Sequence, residues 1–131
     1  MIFVDAGAWF ALSVPTDPDH SAAAGWFAAN SQPLLTTDYV IDETLTALRA
    51  RRQRKIAVDF GAKAFSGLLA AVHYLTPAEI DAAWGVFRTF ADKDWSFTDC
   101  TSKVVMEALG ISEAYAFDQH FRQFGTVTVV P

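Results

Sequence analysis

Asp5, Glu43, Asp99 and Asp118 each stand where a predicted strand gives way to a helix, or on the early turns of a helix. Acids far apart in sequence but gathered at one edge of a parallel sheet make a divalent-metal site, because ligands of open α/β sheets bind beyond the carboxyl ends of the strands. Four like charges there repel one another, and their pKa values rise unless cations neutralise them. Hard oxygen ligands select Mg²⁺ or Mn²⁺ over zinc or copper, which want imidazole or thiolate. The three histidines, His20, His73 and His120, show no metal-binding spacing. Mg²⁺ keeps several waters and binds through a few carboxylates plus substrate phosphate, so the set suits phosphodiester hydrolysis. One ion would lower the pKa of an attacking water, and the same or a second ion would stabilise the leaving oxygen.

The elements that must position these acids alternate between strand and helix. Ile2 to Val4 reads as a buried strand and Ala8 to Val14 as a short helix stopped by Pro15. Asp17 and Pro18 suit the cap and first position of a helix through about Ala29. After a short strand from Pro33 to Thr36, Thr37 or Asp38 can cap a helix reaching about Arg52, with Ile41, Leu45 and Leu48 facing the core and Glu43 off that stripe. A helix from about Ile56 to Ala71 is weakened by Gly61 and Gly67, and Val72 to Leu75 follows as a strand. Thr76-Pro77-Ala78-Glu79 and Ser96-Phe97-Thr98-Asp99 are capping-box patterns that open helices, the second ending at Leu109 before Gly110. Ala114 to Phe117 leads as a strand to Asp118, Gln119 to Phe124 is a short helix ended by Gly125, and Val127 to Val130 closes the sheet. This order predicts a three-layer α/β/α sandwich around a mostly parallel sheet, as one domain over residues 1–131.

Charge and cysteine content narrow the setting. Ten Lys and Arg against 15 Asp and Glu give a net charge of −5, at first an argument against an RNA partner. Setting the four acids aside leaves 10 basic against 11 acidic residues, a balance of −1, so most of the net negative charge would belong to the expected site. A single Cys100 excludes a disulfide framework and a multi-Cys zinc site. The start lacks a positive n-region, and no run approaches the ~18 apolar residues of a membrane span. A soluble, cytoplasmic protein is expected. Rival α/β chemistries lack their residues: Gly7 occupies the place of a dehalogenase-type second Asp, and there is no Walker lysine loop, G-x-G-x-x-G or nucleophile elbow.

Four ordered segments then carry a resemblance. Phe3-Val4-Asp5-Ala6-Gly7-Ala8-Trp9, Thr37-Asp38-Tyr39-Val40-Ile41-Asp42-Glu43-Thr44, Asp94-Trp95-Ser96-Phe97-Thr98-Asp99-Cys100-Thr101-Ser102 and Ala116-Phe117-Asp118-Gln119-His120-Phe121 resemble the PIN-domain family, especially the VapC-like toxins of bacterial toxin–antitoxin pairs. The resemblance implies a Mg²⁺-dependent endoribonuclease in which Asp5, Glu43, Asp99 and Asp118 are the metal-binding acids. It further implies a cognate antitoxin protein and a homodimer. Family members commonly carry Thr-Ser after the first Asp, where this chain has Ala6-Gly7. Thr98 and Ser102 lie near Asp99 and could hold it or a metal-bound water; for Thr98 a capping role weighs equally.

Other readings stand beside these. Each acid alone would read as a helix cap or a solvated charge, with Asp38 taken as a cap and Asp42 as surface. Arg49, Arg51, Arg52, Arg54 and Lys55 form a basic run. If the helix persists, Arg54 falls about 20° off the face of Glu43 and ~16 Å along it, so this run could meet RNA phosphate or the antitoxin, or be a solvated helix end. The three histidines are expected to be surface or packed residues, and most tryptophans to be core or partner-facing rather than base-stacking. A catalytically idle PIN-like binding module, or a PIN nuclease of RNA processing unrelated to toxicity, are the alternatives to the toxin.

Overall fold

Short apolar runs too brief for helices make the five strands: β1 (Ile2–Val4), β2 (Leu34–Thr37), β3 (Ala71–His73), β4 (Glu113–Tyr115) and β5 (Thr128–Val130). In the computed structural model, which describes residues 1–131, they form one sheet in the order β3-β2-β1-β4-β5. All four pairings are parallel, so the expected mostly parallel sheet is wholly parallel. β1 lies at the centre, with Phe3 opposite both Leu35 and Ala114. A central parallel strand is covered on both faces, which is why Ile2, Phe3 and Val4 are all apolar and all buried.

Six α-helices connect the strands: α1 (Ala6–Ser13), α2 (His20–Ala29), α3 (Asp38–Ala50), α4 (Arg54–Phe65), α5 (Pro77–Thr89) and α6 (Phe97–Leu109). A 3-10 helix spans Gln119–Phe124. Together they make the expected three-layer α/β/α sandwich, with α3 touching α1, α4 and α6. No helix is long and apolar enough to cross a membrane.

Several boundaries differ from the sequence reading, each for a local reason. α1 begins directly at Ala6, with Asp5 itself at the N-cap. α2 begins at His20 and not at Pro18, because Asp17 Oδ1 accepts the Asp19 N–H at 2.9 Å in a side-chain turn before the helix. Thr37 caps α3 by accepting from Val40 N, whereas Asp38 reaches across to accept the Leu75 N–H at 3.0 Å. α3 stops at Ala50, and the chain reverses through Arg52, whose φ of 58° no helix continues, before α4 starts at Arg54. α4 ends at Phe65, followed by Gly67 at φ 77°, well short of Ala71. β4 ends at Tyr115, two residues sooner than the apolar run suggests.

The end of β1 is tied to its neighbours by more than the ladder. Asp5 N–H donates to Tyr115 O on β4 at 3.1 Å. On the other side the buried Trp9 Nε1 donates to Thr36 Oγ1 at 3.1 Å, and Thr36 Oγ1 donates to Val4 O at 3.2 Å. This relay joins α1, β2 and the last residue of β1 just before Asp5. Replacing Thr36 with Val leaves the Trp9 indole N–H buried and unpaired, so Thr36→Val is expected to lose about 1–3 kcal/mol of stability. Thr36→Ser should lose less, and urea denaturation of both variants measures the difference. Equal stability of Thr36→Val and wild type would mean that the relay contributes nothing.

Candidate active site

β1 sits where the strand order reverses, with β2 and β3 on one side and β4 and β5 on the other. A crevice opens beyond the strand ends at such a switch point. Asp5 follows β1 directly and Asp118 lies three residues past the end of β4. Glu43 is on the second turn of α3, and Asp99 on the first turn of α6. All four line one cleft of about 460 Å³, together with Gly7, Phe10, Asp17, Asp19, Arg51, Ser96, Phe117 and His120.

Each acid is held differently. Asp5 is 4% exposed, and its Oδ1 is buried without a hydrogen-bond partner. Asp99 closes a capping box: Ser96 Oγ accepts from Asp99 N, and Asp99 Oδ2 accepts the Ser96 N–H at 3.0 Å. Asp118 caps the 3-10 helix, its Oδ1 accepting the His120 N–H at 2.8 Å. Glu43 is half-buried and makes no hydrogen bond through its side chain.

Burial and the charges of neighbouring acids show in the titration of Asp5 and Glu43. Desolvation pushes the Asp5 carboxyl up from its ordinary 3.8 to about 7; a backbone hydrogen bond from Ala6 pulls against it, and the charges of Asp99, Glu43 and Asp118 add to the rise. Glu43 moves in the same direction, first by desolvation and then by the charges of Asp99, Asp118 and Asp42.

These residues fit a divalent cation. The donor set is all oxygen, neighbouring acidic charges help raise the pKa of Asp5 and of Glu43, and the buried Asp5 Oδ1 has no hydrogen-bond donor, a place a cation could take. The acids ring an open cleft and do not converge into a ready-made cage. Mg²⁺ accepts such an arrangement because it fills its remaining positions with water and phosphate.

The other expected residues scatter. Thr98 does not line the cleft; its carbonyl accepts the Thr101 hydroxyl at 2.7 Å, and Ser96 takes the capping role. Ser102 is fully buried, and its hydroxyl has no partner. Of the basic run only Arg51 lines the cleft, its guanidinium 5.4 Å from the centre of the Phe10 ring. Arg49 and Arg54 line a separate groove with Leu45 and Val58, and Lys55 lines a third beside Trp9. Arg52 is exposed at the turn. The left-handed turn ends the helix on which Arg54 would have tracked Glu43. Sequence reasoning passed over His120, which stands in the cleft with Nδ1 2.9 Å from Asp99 Oδ2. Its place two residues after Asp118 was the available signal.

Comparison with known proteins agrees with the fold. The family model described as "PIN domain" matches residues 2–127. The chain is 35% identical to the 23S rRNA-specific endonuclease VapC20 of Mycobacterium tuberculosis, in both the CDC 1551 and H37Rv strains, covering 100% of this chain and 99% of the relative. The crystal structure of M. tuberculosis VapC20, a sarcin-ricin loop cleaving toxin, superposes with a TM-score of 0.93 at 33% identity, over 100% of both chains.

The raised pKa of Asp5 has a definite consequence for stability. Between pH 3.8 and about 7 the folded chain holds a proton on Asp5 that the unfolded chain has released, so stability falls as pH rises through that window. Glu43 acts in the same sense. Metal-free protein is expected to lose Tm between pH 5 and 8, and Asp5→Asn, whose amide carries no charge, should flatten that loss. Parallel Tm curves for the two proteins would remove Asp5 as its source.

Proposed function

The chain belongs to the PIN-domain family, and on that premise we propose that it is a Mg²⁺- or Mn²⁺-dependent endoribonuclease, the toxin of a toxin–antitoxin pair. The observation that carries this reading is the convergence of four carboxylates from four separate elements on one cleft, one of them with a buried oxygen that lacks a partner. An idle binding module would have no need to bear the cost of burying Asp5.

In this reading Asp5, Asp99 and Asp118 hold the cation and Glu43 completes the site. A bound divalent ion would lower the pKa of an attacking water and offset charge on the scissile phosphate. The chain supplies the rest. Capping fixes Asp99 and Asp118 before any ligand arrives. Arg51 is the one arginine or lysine among the cleft residues, and its guanidinium rests over Phe10 without an acidic partner, so its N–H groups are free for an RNA phosphate. Phe10 and Phe117 present apolar surface beside the acids.

The relative's substrate makes the sarcin-ricin loop of 23S rRNA the first RNA to test. The same reading includes a cytoplasmic homodimer restrained by an antitoxin protein. The exposed aromatic strip of α5, where Trp84 and Phe87 stack at 5.9 Å, is surface of the kind that partners cover.

Asp5→Asn and Asp99→Asn are each expected to lower Mg²⁺-dependent cleavage of an rRNA fragment by more than ~100-fold, since even outer partners of metal ligands are worth 10- to 100-fold. Circular dichroism should show both variants folded. Undiminished cleavage by both would sink the assignment, and calorimetry showing no Mg²⁺ or Mn²⁺ binding by wild type would favour the idle module. Arg51→Ala should raise the KM for RNA and reduce the slope of log affinity against log salt by about 1. An unchanged slope would take Arg51 out of phosphate contact.

A further inference from the structure

His120 joins two acids that come from different elements. Its Nδ1 lies 2.9 Å from Asp99 Oδ2 and 3.3 Å from Asp118 Oδ1, while its backbone N–H donates to that same Asp118 oxygen at 2.8 Å. Asp99 Oδ2 also accepts the Ser96 N–H. One oxygen of each carboxylate is therefore engaged, and neither Asp99 Oδ1 nor Asp118 Oδ2 has a partner within the chain. Ionised carboxylates only accept, so a ring nitrogen within reach of both is there as an N–H donor.

The ring is held in place from below. Phe121, the next residue, is fully buried against Phe3 at 6.0 Å and Phe124 at 4.8 Å between ring centres. The 3-10 helix is also tied to the segment that leads into α6. Trp95 Nε1 donates to Gln123 Oε1 at 2.9 Å, and the Trp95 ring meets Phe124 edge-on at 5.1 Å. The Asp99 and Asp118 backbones are thus bolted together through the core, and His120 completes the joint at the level of their side chains.

We propose that His120 is a positioning residue of the carboxylate site: its Nδ1–H, donated to Asp99 Oδ2 beside Asp118 Oδ1, fixes both acids so that each keeps one oxygen for a divalent cation. The proposal rests on the metal-dependent reading above. Without that donor the backbone caps alone hold the two like charges against their repulsion, and a cation must do more to align its own ligands. His120 differs from a ligand in what it offers, since the nitrogen nearest the acids is occupied by them.

Titrating MgCl₂ and MnCl₂ into wild type, His120→Ala and His120→Asn by calorimetry tests this without RNA. His120→Ala is expected to weaken both ions about 10- to 100-fold, while His120→Asn, which keeps an N–H near the place of Nδ1, recovers most of the affinity. In RNA cleavage the kcat of His120→Ala should return towards wild type as Mg²⁺ is raised, with the KM for RNA unchanged. Mg²⁺ binding by His120→Ala as tight as wild type, or tighter, overturns the proposal and leaves the metal reading intact. Failure of wild type to bind either ion overturns both. Should His120→Ala not show a cooperative melt, the folded His120→Asn decides: affinity near wild type supports the role, and a 10-fold or greater loss overturns it.

Discussion

Burying the Asp5 carboxylate at the end of the central strand costs free energy that the polypeptide alone does not return, because Oδ1 has no donor and the charges of Asp99, Glu43 and Asp118 act against it. The surroundings are arranged to keep that carboxylate in place. Its own N–H is bound to β4, the residue before it is bound through Thr36 to β2, and the helix it begins is locked by the Trp9 indole. Parallel strands are buried on both faces, so the chain cannot relieve the acid by swinging β1 towards water. The remaining relief is a proton or a cation, and both draw on the same unpaired oxygen.

Asp99 and Asp118 show a second way of holding like charges together. Each is a helix-capping acid, and the N–H groups of a helix's first turn favour negative charge. Capping thus serves structure and chemistry at once: one oxygen satisfies the backbone and the other remains. The aromatic joint of Trp95, Phe121 and Phe124 sets the distance between the two caps from beneath. Glu43 has no such anchor, and its half-buried place on the second turn of α3 gives it the most freedom of the four.

What was legible in the sequence is what local chemistry decides. The two capping boxes, the glycine stop at Gly110 and the strand-to-helix junctions at Asp5 and Asp118 depend on neighbours within a few residues, and the structure contains all of them. The start of α2 was misread because Asp17 could serve either a cap or a side-chain turn, and the sequence does not say which wins. Asp38 was misread because its partner, Leu75, is 37 residues away. His120 escaped for the same reason. Its ring bond to Asp99 spans 21 residues and exists only once α6 and the 3-10 helix share a core. The basic run looked like one feature because nothing in its composition announces a left-handed residue at Arg52.

That single backbone reversal divides the basic run among different surroundings. Arg51 faces the acidic cleft, Arg49 and Arg54 face a groove with Leu45, and Lys55 faces a third surface. Neighbouring residues of the run therefore meet different surroundings, and a change on one surface leaves the contacts of the others in place. A charge at Arg49, Arg54 or Lys55 can be lost or exchanged while the cleft keeps its cation at Arg51. The turn converts a short stretch of coding sequence into three independently adjustable surfaces.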